Sequence, residues 1–422
     1  MAGLSCSASR GETVGHLRPS CAADPNPKSL QVRRFSPGPR ALLAFIAASR
    51  QPTAMPGMSS SARRGRFVTQ VCSLRVTDQQ LLEVLSGMEC LVGNHLVLEY
   101  IVDTDALGGN LVNHLCDNDL LVLQERIVSP PEKLSLVKPV SDNPLVILND
   151  SSLPVQRSVV AVQKAGIDSF ERLDSGVLLA SDDIRLLFSY PFLTGKDISF
   201  DSFNEAYRGL EALLLQTGFT ETNIARTWFL VKDILRDYDL LNQVRDQWFA
   251  KWFKKGDFIP ASTGIQSRIN QEGYFSLECL AVDGAGIAVE QMHCSLQNEP
   301  IEYGKMFSRG ILLSMAQSRI ALISGTASTD KFGEVKYFGD IARQCQHMLD
   351  SVSDLLNGVG MDFENVAQAM LWLKHGEDRE LCLDILSRNG FPLERCVLQL
   401  DCDVCRDEWL CEMEITAVKN AS

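Results

Sequence analysis

The sequence GMDFENVAQAMLWL, residues 360–373, is the most informative stretch for the fold of this chain, because a related stretch, GFTETNIARTWFLV, occurs at residues 218–231. Both stretches begin with glycine, and both carry Asn, an aliphatic β-branched residue and Ala at the same offsets without a gap. In each, polar turn residues lead into an apolar run, which is typical of a buried strand that follows a turn. A pattern that occurs twice predicts an internal duplication.

The segments that flank the two stretches also correspond. A helical pattern precedes each stretch, at 203–217 and 339–356, and a second one follows each, at 239–254 and 378–389. Each copy closes on a strand that contains the pair Ala-Val, at 281–282 and 417–418. This alternation predicts an α/β (α+β) fold of two such domains, each a mixed sheet backed by two helices.

The two copies differ at positions that carry charge. Arg226 in the first copy corresponds to Gln368 in the second, and Glu412 in the closing strand corresponds to Ser276. The closing strand alternates, so Glu412 and Glu414 point to the same face. One interpretation is an edge strand with its acidic face in water, and the other is a general acid held in a cleft. A cation in one copy and an acid in the other favour a single composite site between them.

Charge and cysteine usage limit the partners and the compartment. A net charge of −13 over 422 residues argues against a protein that binds the nucleic-acid backbone, which needs a basic face. The best apolar run, residues 41–48, is too short to span a bilayer. The 13 cysteines are scattered and odd in number, which indicates free thiols in a reducing compartment. We therefore expect a soluble intracellular protein without nucleic-acid or membrane partners.

The N-terminal residues 1–66 differ in composition from the rest, with ten basic residues against two acidic ones and many Ser, Ala and Pro. This composition is typical of an organellar transit peptide, but a disordered tail or a later start at Met55 or Met58 explains it equally well. We expect a cytoplasmic protein, or a plastid or mitochondrial one if the segment is a transit peptide. The predicted domains are residues 67–290, with an N-terminal elaboration, and residues 291–422, which carry the acid.

No motif for a metal or a cofactor stands out. The histidines show no metal-ligand spacing, and the CxxC at 402–405 has no second pair and enters a strand, whereas a redox CxxC opens a helix. A P-loop is absent, and Gly-Ala-Gly at 284–286 lacks the third glycine of a dinucleotide fingerprint. We expect neither metal nor cofactor.

A series of short motifs connects the chain to a known family. In order they are RTWF (226–229), NQVR (242–245), PASTGI (260–265), YG (303–304), FSRG (307–310), SGTAS (324–328) and CR (405–406) before Glu412. Over residues 188–418 this order resembles the chorismatases, two-domain members of the RidA/YjgF superfamily. The sequence departs from the family pattern by two extra residues near 401–402, a shortened segment at 295–305 and an unusual GEVKY at 333–337.

The resemblance implies a chorismate lyase or hydrolase that removes the enolpyruvyl ether as pyruvate. Gly310 and Cys405 fall on two positions that separate the family's branches, and they match the branch that makes 3-hydroxybenzoate rather than a dihydroxycyclohexadiene carboxylate. Chorismate is a dianion, so guanidinium groups are expected to bind its carboxylates. The implied catalytic residues are Glu412 and Cys405; the implied substrate-binding residues are Arg226, Arg309, Gly310, Tyr303, Phe307 and Arg395.

Two other functions remain open from the sequence. A RidA-type deaminase of 2-imino acids would bind a carboxylate through Arg395 and hold a water molecule with Glu412, but it does not explain the duplication. A non-catalytic ligand-binding protein fits residues 67–188, where we find no motif for chemistry. The expected oligomeric state is a monomer or a homotrimer.

Overall fold

The computed structural model describes residues 68–70, 85–93, 95–105, 107–149, 153–182, 184–194, 199–254, 257–269 and 273–421. The predicted N-terminal extension, residues 1–66, lies outside the described residues. None of the helices in the described ranges is long and apolar enough to cross a bilayer.

Strands and helices fall into three consecutive units. The first contains β1 (Val68–Gln70), β2 (Leu85–Val92), β3 (Leu96–Asp103), α1 (Gly109–Asp117), β4 (Leu120–Ser129), β5 (Leu145–Leu148) and β6 (Gln156–Gln163). The second contains β7 (Ser169–Leu173), β8 (Gly176–Ser181), β9 (Ile184–Ser189), β10 (Phe192–Thr194), α2 (Phe200–Thr217), β11 (Ile224–Val231), α3 (Ile234–Trp252), β12 (Ala261–Gln266), β13 (Arg268–Ile269) and β14 (Phe275–Gly284). The third contains β15 (Ala288–Met292), β16 (Gly310–Ser314), β17 (Ser318–Ala327), α4 (Ile341–Gly358), β18 (Val366–Leu373), α5 (Arg379–Arg388), β19 (Cys396–Gln399) and β20 (Cys411–Asn420).

The three units share one strand order. It is β2-β3-β6-β4-β5 in the first sheet, β8-β9-β14-β11-β12 in the second and β16-β17-β20-β18-β19 in the third. In each, the last two strands run parallel and the other neighbours in the order run antiparallel. The α/β (α+β) class and the duplicated unit are therefore confirmed, and residues 68–163 form a further unit of the same order. The predicted domain 67–290 thus holds two of the three sheets.

The repeated stretch has the same local structure in both copies. Gly218 and Gly360 follow the helices α2 and α4 with φ of 70° and 68°, a left-handed conformation that glycine adopts without steric cost. After one more turn, each copy of the stretch enters its strand, β11 or β18. The register in which these strands pair with β14 and β20 shifts just before Arg226 and Gln368. The first unit has the same shift just before Gln124 in β4.

The inner faces of the three sheets meet in a shared interior, and the longer helices cover the outer faces. One cluster of buried apolar side chains combines Leu98, Phe188 and Leu322, one from each sheet. Separate clusters join α2 and α3 to the second sheet and α4 and α5 to the third. This arrangement leaves the borders between units as the places where side chains of two units can form a cleft.

Candidate active site

A cavity lies between the second and third units, and the space within it, including the part open to solvent, is about 670 Å³. The second unit contributes side chains from α3 and β12 to its wall, and the third contributes the segment before β16, the end of β17 and the segment that leads into β20. Five of the eight predicted site residues line it: Tyr303, Phe307, Arg309, Cys405 and Glu412.

Glu412 reaches the cavity because of an irregularity in the neighbouring strand. The pairing of β17 with β20 shifts between Ile323 and Thr326, which places a β-bulge at Ser324 and Gly325. A methyl group on Gly325 would lie only 2.0 Å from Oε1 of Glu412. The Ser-Gly pair of the SGTAS motif therefore forms a bulge within a strand, and its glycine leaves the space that the Glu412 carboxyl occupies.

The environment of Glu412 favours its neutral form. The side chain is 4% exposed, and no hydrogen bond to its carboxyl is formed by the residues that the structure describes. Burial raises the pKa of Glu412 to about 8; the charge of Glu414 also raises it, and the guanidinium of Arg309 lowers it. A buried carboxyl that keeps its proton at neutral pH can act as a general acid.

Arg309 stands beside this acid in a fixed orientation. Its Nε and Nη2 donate to the carbonyl oxygen of Asn298 at 3.1 and 3.0 Å, and Nη2 also donates to the hydroxyl of Tyr303 at 2.6 Å. The guanidinium is 3% exposed, and these contacts leave its Nη1 edge for a ligand. The structure thus brings Arg309 and Tyr303, two of the predicted substrate-binding residues, into contact.

A second buried guanidinium, Arg245, was not among the predicted site residues. Arg245 lies on α3 and is 4% exposed, and its Nη2 donates to Asn242. The ring of Phe307 lies near both cations, with its centroid 5.8 Å from Cζ of Arg245 and 5.9 Å from Cζ of Arg309. The sequence signal was a charged residue at i+7 from Tyr238 on the buried face of a helix.

The thiol of Cys405 lies in the same cavity and contacts the hydroxyl of Tyr238 from α3. Burial, followed by the charge of Glu412, raises the pKa of Cys405 to about 12, so the thiol is neutral near pH 7. Lys305 also lines the wall, 5.1 Å above the ring of Tyr238, and burial lowers its pKa. Cys405 is therefore a small neutral contact and not a nucleophilic thiolate.

Arg226, which the sequence predicted to bind substrate, lies away from the cavity that Glu412 lines. The register shift before Arg226 turns its side chain to the inner face of the second sheet. There it is 1% exposed and donates to Thr416 Oγ1 at 3.1 Å, to the carbonyl oxygen of Ile415 at 3.2 Å and to that of Ile323. It belongs to the shared interior and not to the wall of the Glu412 cavity.

Arg395 and Gly310 also lie outside the cavity wall. Arg395 precedes β19, and its Nη1 donates to the carbonyl oxygens of Glu364 and Val366 at 3.1 and 2.7 Å. A methyl group on Gly310 would meet Met292 Sδ at 3.0 Å and the carbonyl oxygen of Leu322 at 3.1 Å. The contacts of both residues thus lie within the third unit, whereas the sequence predicted that they bind substrate.

The charge of the cavity wall indicates an anionic ligand. Arg245, Arg309, Lys305 and Arg406 are positive, whereas Glu412 is the one carboxyl group among the residues that line it. Arg406 is paired at 3.0 Å with Glu334, which leaves the other three cations without a carboxylate partner in the described part of the chain. Nor do the described residues contain a group of three or more side chains placed to hold a metal ion.

The raised pKa of Glu412 predicts a pH-dependent effect on stability. Its carboxyl ionises near 4.5 when unfolded and near 8 when folded, so stability that is fully present below 4.5 is lost as the pH rises through 8. Glu412→Gln cannot ionise, and we expect the Tm of the variant relative to wild type to rise across this window. Thermal unfolding at a series of pH values measures it, with the exposed Glu408→Gln as control. A difference that is constant with pH would contradict a buried neutral Glu412.

Comparison with solved structures shows which known fold this architecture shares. A chorismatase crystal structure aligns over 70% of this chain and 92% of its own, with a TM-score of 0.56 and 16% identity. This chain has the chorismatase fold. Two shorter structures each align over 31% of the chain. The Rid-family protein YyfA of Yersinia pestis aligns over 98% of its own length, with 18% identity and a TM-score of 0.26. Yeast Mmf1 aligns over 99% of its own length, with 12% identity and a TM-score of 0.26. No family model and no curated protein matched the sequence. The predicted resemblance is confirmed for the fold.

Proposed function

We propose that this protein cleaves the enolpyruvyl ether of chorismate and releases pyruvate and 3-hydroxybenzoate. The observation that carries the proposal is the pairing of one buried, proton-bearing carboxyl, Glu412, with two buried guanidinium groups, Arg309 and Arg245, in a single cavity. Chorismate presents two carboxylates and an acid-labile enol ether, so its functional groups match this set of side chains. The shared fold with a chorismatase supports the same conclusion.

The chemistry assigns a distinct task to each group. Protonation of the terminal methylene by Glu412 converts the enol ether into an oxocarbenium ion, and the bond between the ether oxygen and the ring carbon then breaks. The electron pair of that bond stays on the oxygen, which becomes the keto group of pyruvate. The ring cation loses one proton as the aromatic product forms, and the Glu412 carboxylate accepts it. The initial protonation requires a neutral acid, which the pKa of about 8 provides at physiological pH. Arg309 and Arg245 hold the substrate carboxylates through charge-assisted hydrogen bonds, and Phe307, which lies near both, offers an apolar face to the substrate ring.

The product assignment rests on Cys405. Pyruvate and 3-hydroxybenzoate together contain all the atoms of chorismate, so this branch consumes no net water, whereas the dihydroxy acid requires hydrolysis. Cys405 places a neutral thiol in the cavity, where it is hydrogen-bonded to the Tyr238 hydroxyl. It also matches the residue that the resemblance implies at this position for the branch that makes the aromatic product. Gly310 does not add to the argument, since its missing side chain faces Met292 and not the cavity.

The deaminase alternative is less well supported, because the arginine that it requires lies outside the cavity wall. It requires Arg395 to bind the substrate carboxylate, but the Nη1 atom of Arg395 donates to two main-chain carbonyl groups next to β18 and the side chain does not line the cavity. Glu412 as a neutral acid also serves protonation better than the positioning of a water molecule.

One assay tests the function directly. Purified protein incubated with chorismate should release pyruvate, measured by coupled reduction, and chromatography of the second product should show 3-hydroxybenzoate. A parallel incubation with a 2-imino acid tests the deaminase activity. The dihydroxy acid as sole second product would overturn the branch, and the absence of pyruvate would overturn the proposed function.

Replacement of Arg245 should weaken substrate binding. Loss of one charge-assisted contact to a carboxylate costs about 1.5–3 kcal/mol, so Arg245→Met should raise KM roughly ten- to hundredfold with a smaller change in kcat. The matched control is Arg236→Met on the same helix, whose side chain is exposed and paired with Asp237. Steady-state kinetics measure both variants, and an unchanged KM for Arg245→Met would exclude it from the binding site.

A further inference from the structure

Glu414 is held by groups from two other units. The indole Nε1 of Trp228 in the second unit donates to both carboxylate oxygens, at 3.2 and 3.1 Å. Nη1 of Arg126 in the first unit lies 3.7 Å from Oε1. Arg126 is itself fixed, since its Cζ lies 4.1 Å above the Trp228 ring and its Nη2 donates to Glu278 at 3.0 Å. A cation and an indole donor together stabilise a carboxylate in its ionised form.

Glu412 is the neighbour of this carboxylate and has a contrasting environment. The two residues alternate onto the same face of β20, and their backbones pair with Trp372 and Met370 of β18. The Glu412 carboxyl receives no hydrogen bond from the described residues, whereas Glu414 receives the indole and lies beside Arg126. Two adjacent buried carboxyls do not both ionise readily, and the charge of Glu414 is one of the causes that raise the pKa of Glu412.

We propose that Trp228 and Arg126 are positioning residues for the acid: they hold the Glu414 carboxylate beside Glu412, and its negative charge keeps the proton on Glu412. Neither residue lines the Glu412 cavity, so both act through Glu414. The catalytic consequence rests on the proposed function, but the protonation of Glu412 does not. The proposal gives the first unit, in which the sequence shows no chemical motif, a part in the state of the acid.

Other charged and titratable groups face Glu412 and Glu414, and a test of the proposal must leave these groups unchanged. Around Glu412 these are Arg309, Arg245, Lys305, Arg406, Tyr238, Tyr303, Cys402 and Cys405. Around Glu414 they are Arg126, Arg226, Glu278 and Tyr100. Arg226 adds a second positive charge near Glu414, but its hydrogen bonds go to Thr416 and main-chain oxygens. Arg126→Gln would leave Glu278 without its cation and destabilise the fold, so near-isosteric changes elsewhere are preferable.

The test measures the protonation of Glu412 without substrate. Infrared spectra of the protein recorded across pH contain a protonated-carboxyl stretch that is absent in Glu412→Gln, and its disappearance with rising pH gives the midpoint. Glu414→Gln removes the neighbouring charge and should lower the midpoint by about one pH unit. Trp228→Phe should lower it in the same direction. The double variant should match Glu414→Gln alone, because Trp228 acts through Glu414.

The control and the contrary outcomes are specific. Trp248→Phe also removes a buried indole hydrogen bond, to Asn204 at 2.7 Å, but on α3 away from Glu414, and should leave the midpoint unchanged. An unchanged midpoint in Glu414→Gln, or a further shift when Trp228→Phe is added to it, would overturn the proposal. With chorismate, the descending limb of kcat/KM against pH should move by the same interval in Trp228→Phe, while kcat/KM well below the midpoint stays at the wild-type value. Lack of turnover in all variants with the infrared shifts intact would reject the proposed function alone.

Discussion

Glu412→Gln is expected to lower kcat by roughly 10²–10⁴-fold, which is the contribution of general acid catalysis. The glutamine side chain has nearly the same shape but cannot transfer a proton to carbon, so KM should change much less than kcat. Stopped assays of pyruvate release with wild type and variant at equal concentration measure the effect. Turnover close to wild type would exclude Glu412 as the proton donor.

The pH profile gives this prediction a second, independent check. If Glu412 must be protonated, kcat/KM of the wild type should be highest below about pH 8 and fall as the pH rises through that value. Residual activity in Glu412→Gln should lack this descending limb. The exposed Glu408, only four residues earlier, provides the matched control, since Glu408→Gln removes a carboxylate without changing the cavity.

The sequence predicted the duplicated unit and the acid because both leave local signals. The stretches at 218–231 and 360–373 share a glycine, a turn and a buried strand, and the alternation of β20 shows which residues accompany Glu412. Residues 68–163 have the same strand order but lack these signals. Their helix α1 has only nine residues, and a 3-10 turn at Pro131–Leu136 lies between the parallel strands β4 and β5, where the other units have α3 and α5.

The differences between the predicted site residues and the residues that line the cavity have a common physical origin, which is the direction of a side chain. Arg226 stands in a conspicuous motif, but a register shift in β11 directs it into the shared interior. Arg245 also stands in one of the family motifs, NQVR, but the sequence did not show that the tertiary structure places it beside Phe307. Bulges and the pairing of units depend on contacts far apart in sequence, so a local pattern does not determine them.

The strand position that Glu412 occupies has an equivalent in each of the other two sheets, and the three residues there differ in their contacts. Glu412 corresponds to Ser276 in the second sheet and Gln156 in the first, as the strand registers show. Gln156 pairs with the main chain of Leu398 at 3.0 and 3.2 Å and so joins the first unit to the third. Ser276 is fully buried and cannot serve as an acid. Of these equivalent positions, only the one in the third unit combines a carboxyl with a cavity, and we therefore expect one active site per chain.

Gly325→Ala should abolish most of the activity while the protein stays folded. The added methyl group would lie 2.0 Å from Oε1 and 3.0 Å from the carboxyl carbon of Glu412, closer than van der Waals contact allows. The carboxyl must therefore rotate away from the position that the bulge provides. Since a displacement of about 1 Å in a catalytic group can cost about 10²-fold in rate, we expect kcat to fall by at least that factor.

A second glycine in the same cavity separates this effect from simple crowding. A methyl group on Gly264 would have its nearest neighbour, Cβ of Phe229, at 4.0 Å, so Gly264→Ala adds the same volume to the wall without reaching Glu412. We expect Gly264→Ala to change kcat little. Steady-state kinetics and thermal unfolding of both variants, with the infrared band of the protonated carboxyl as a direct probe, distinguish the causes. Equal losses in the two variants would mean that cavity volume, and not the placement of the Glu412 carboxyl beside Gly325, limits turnover.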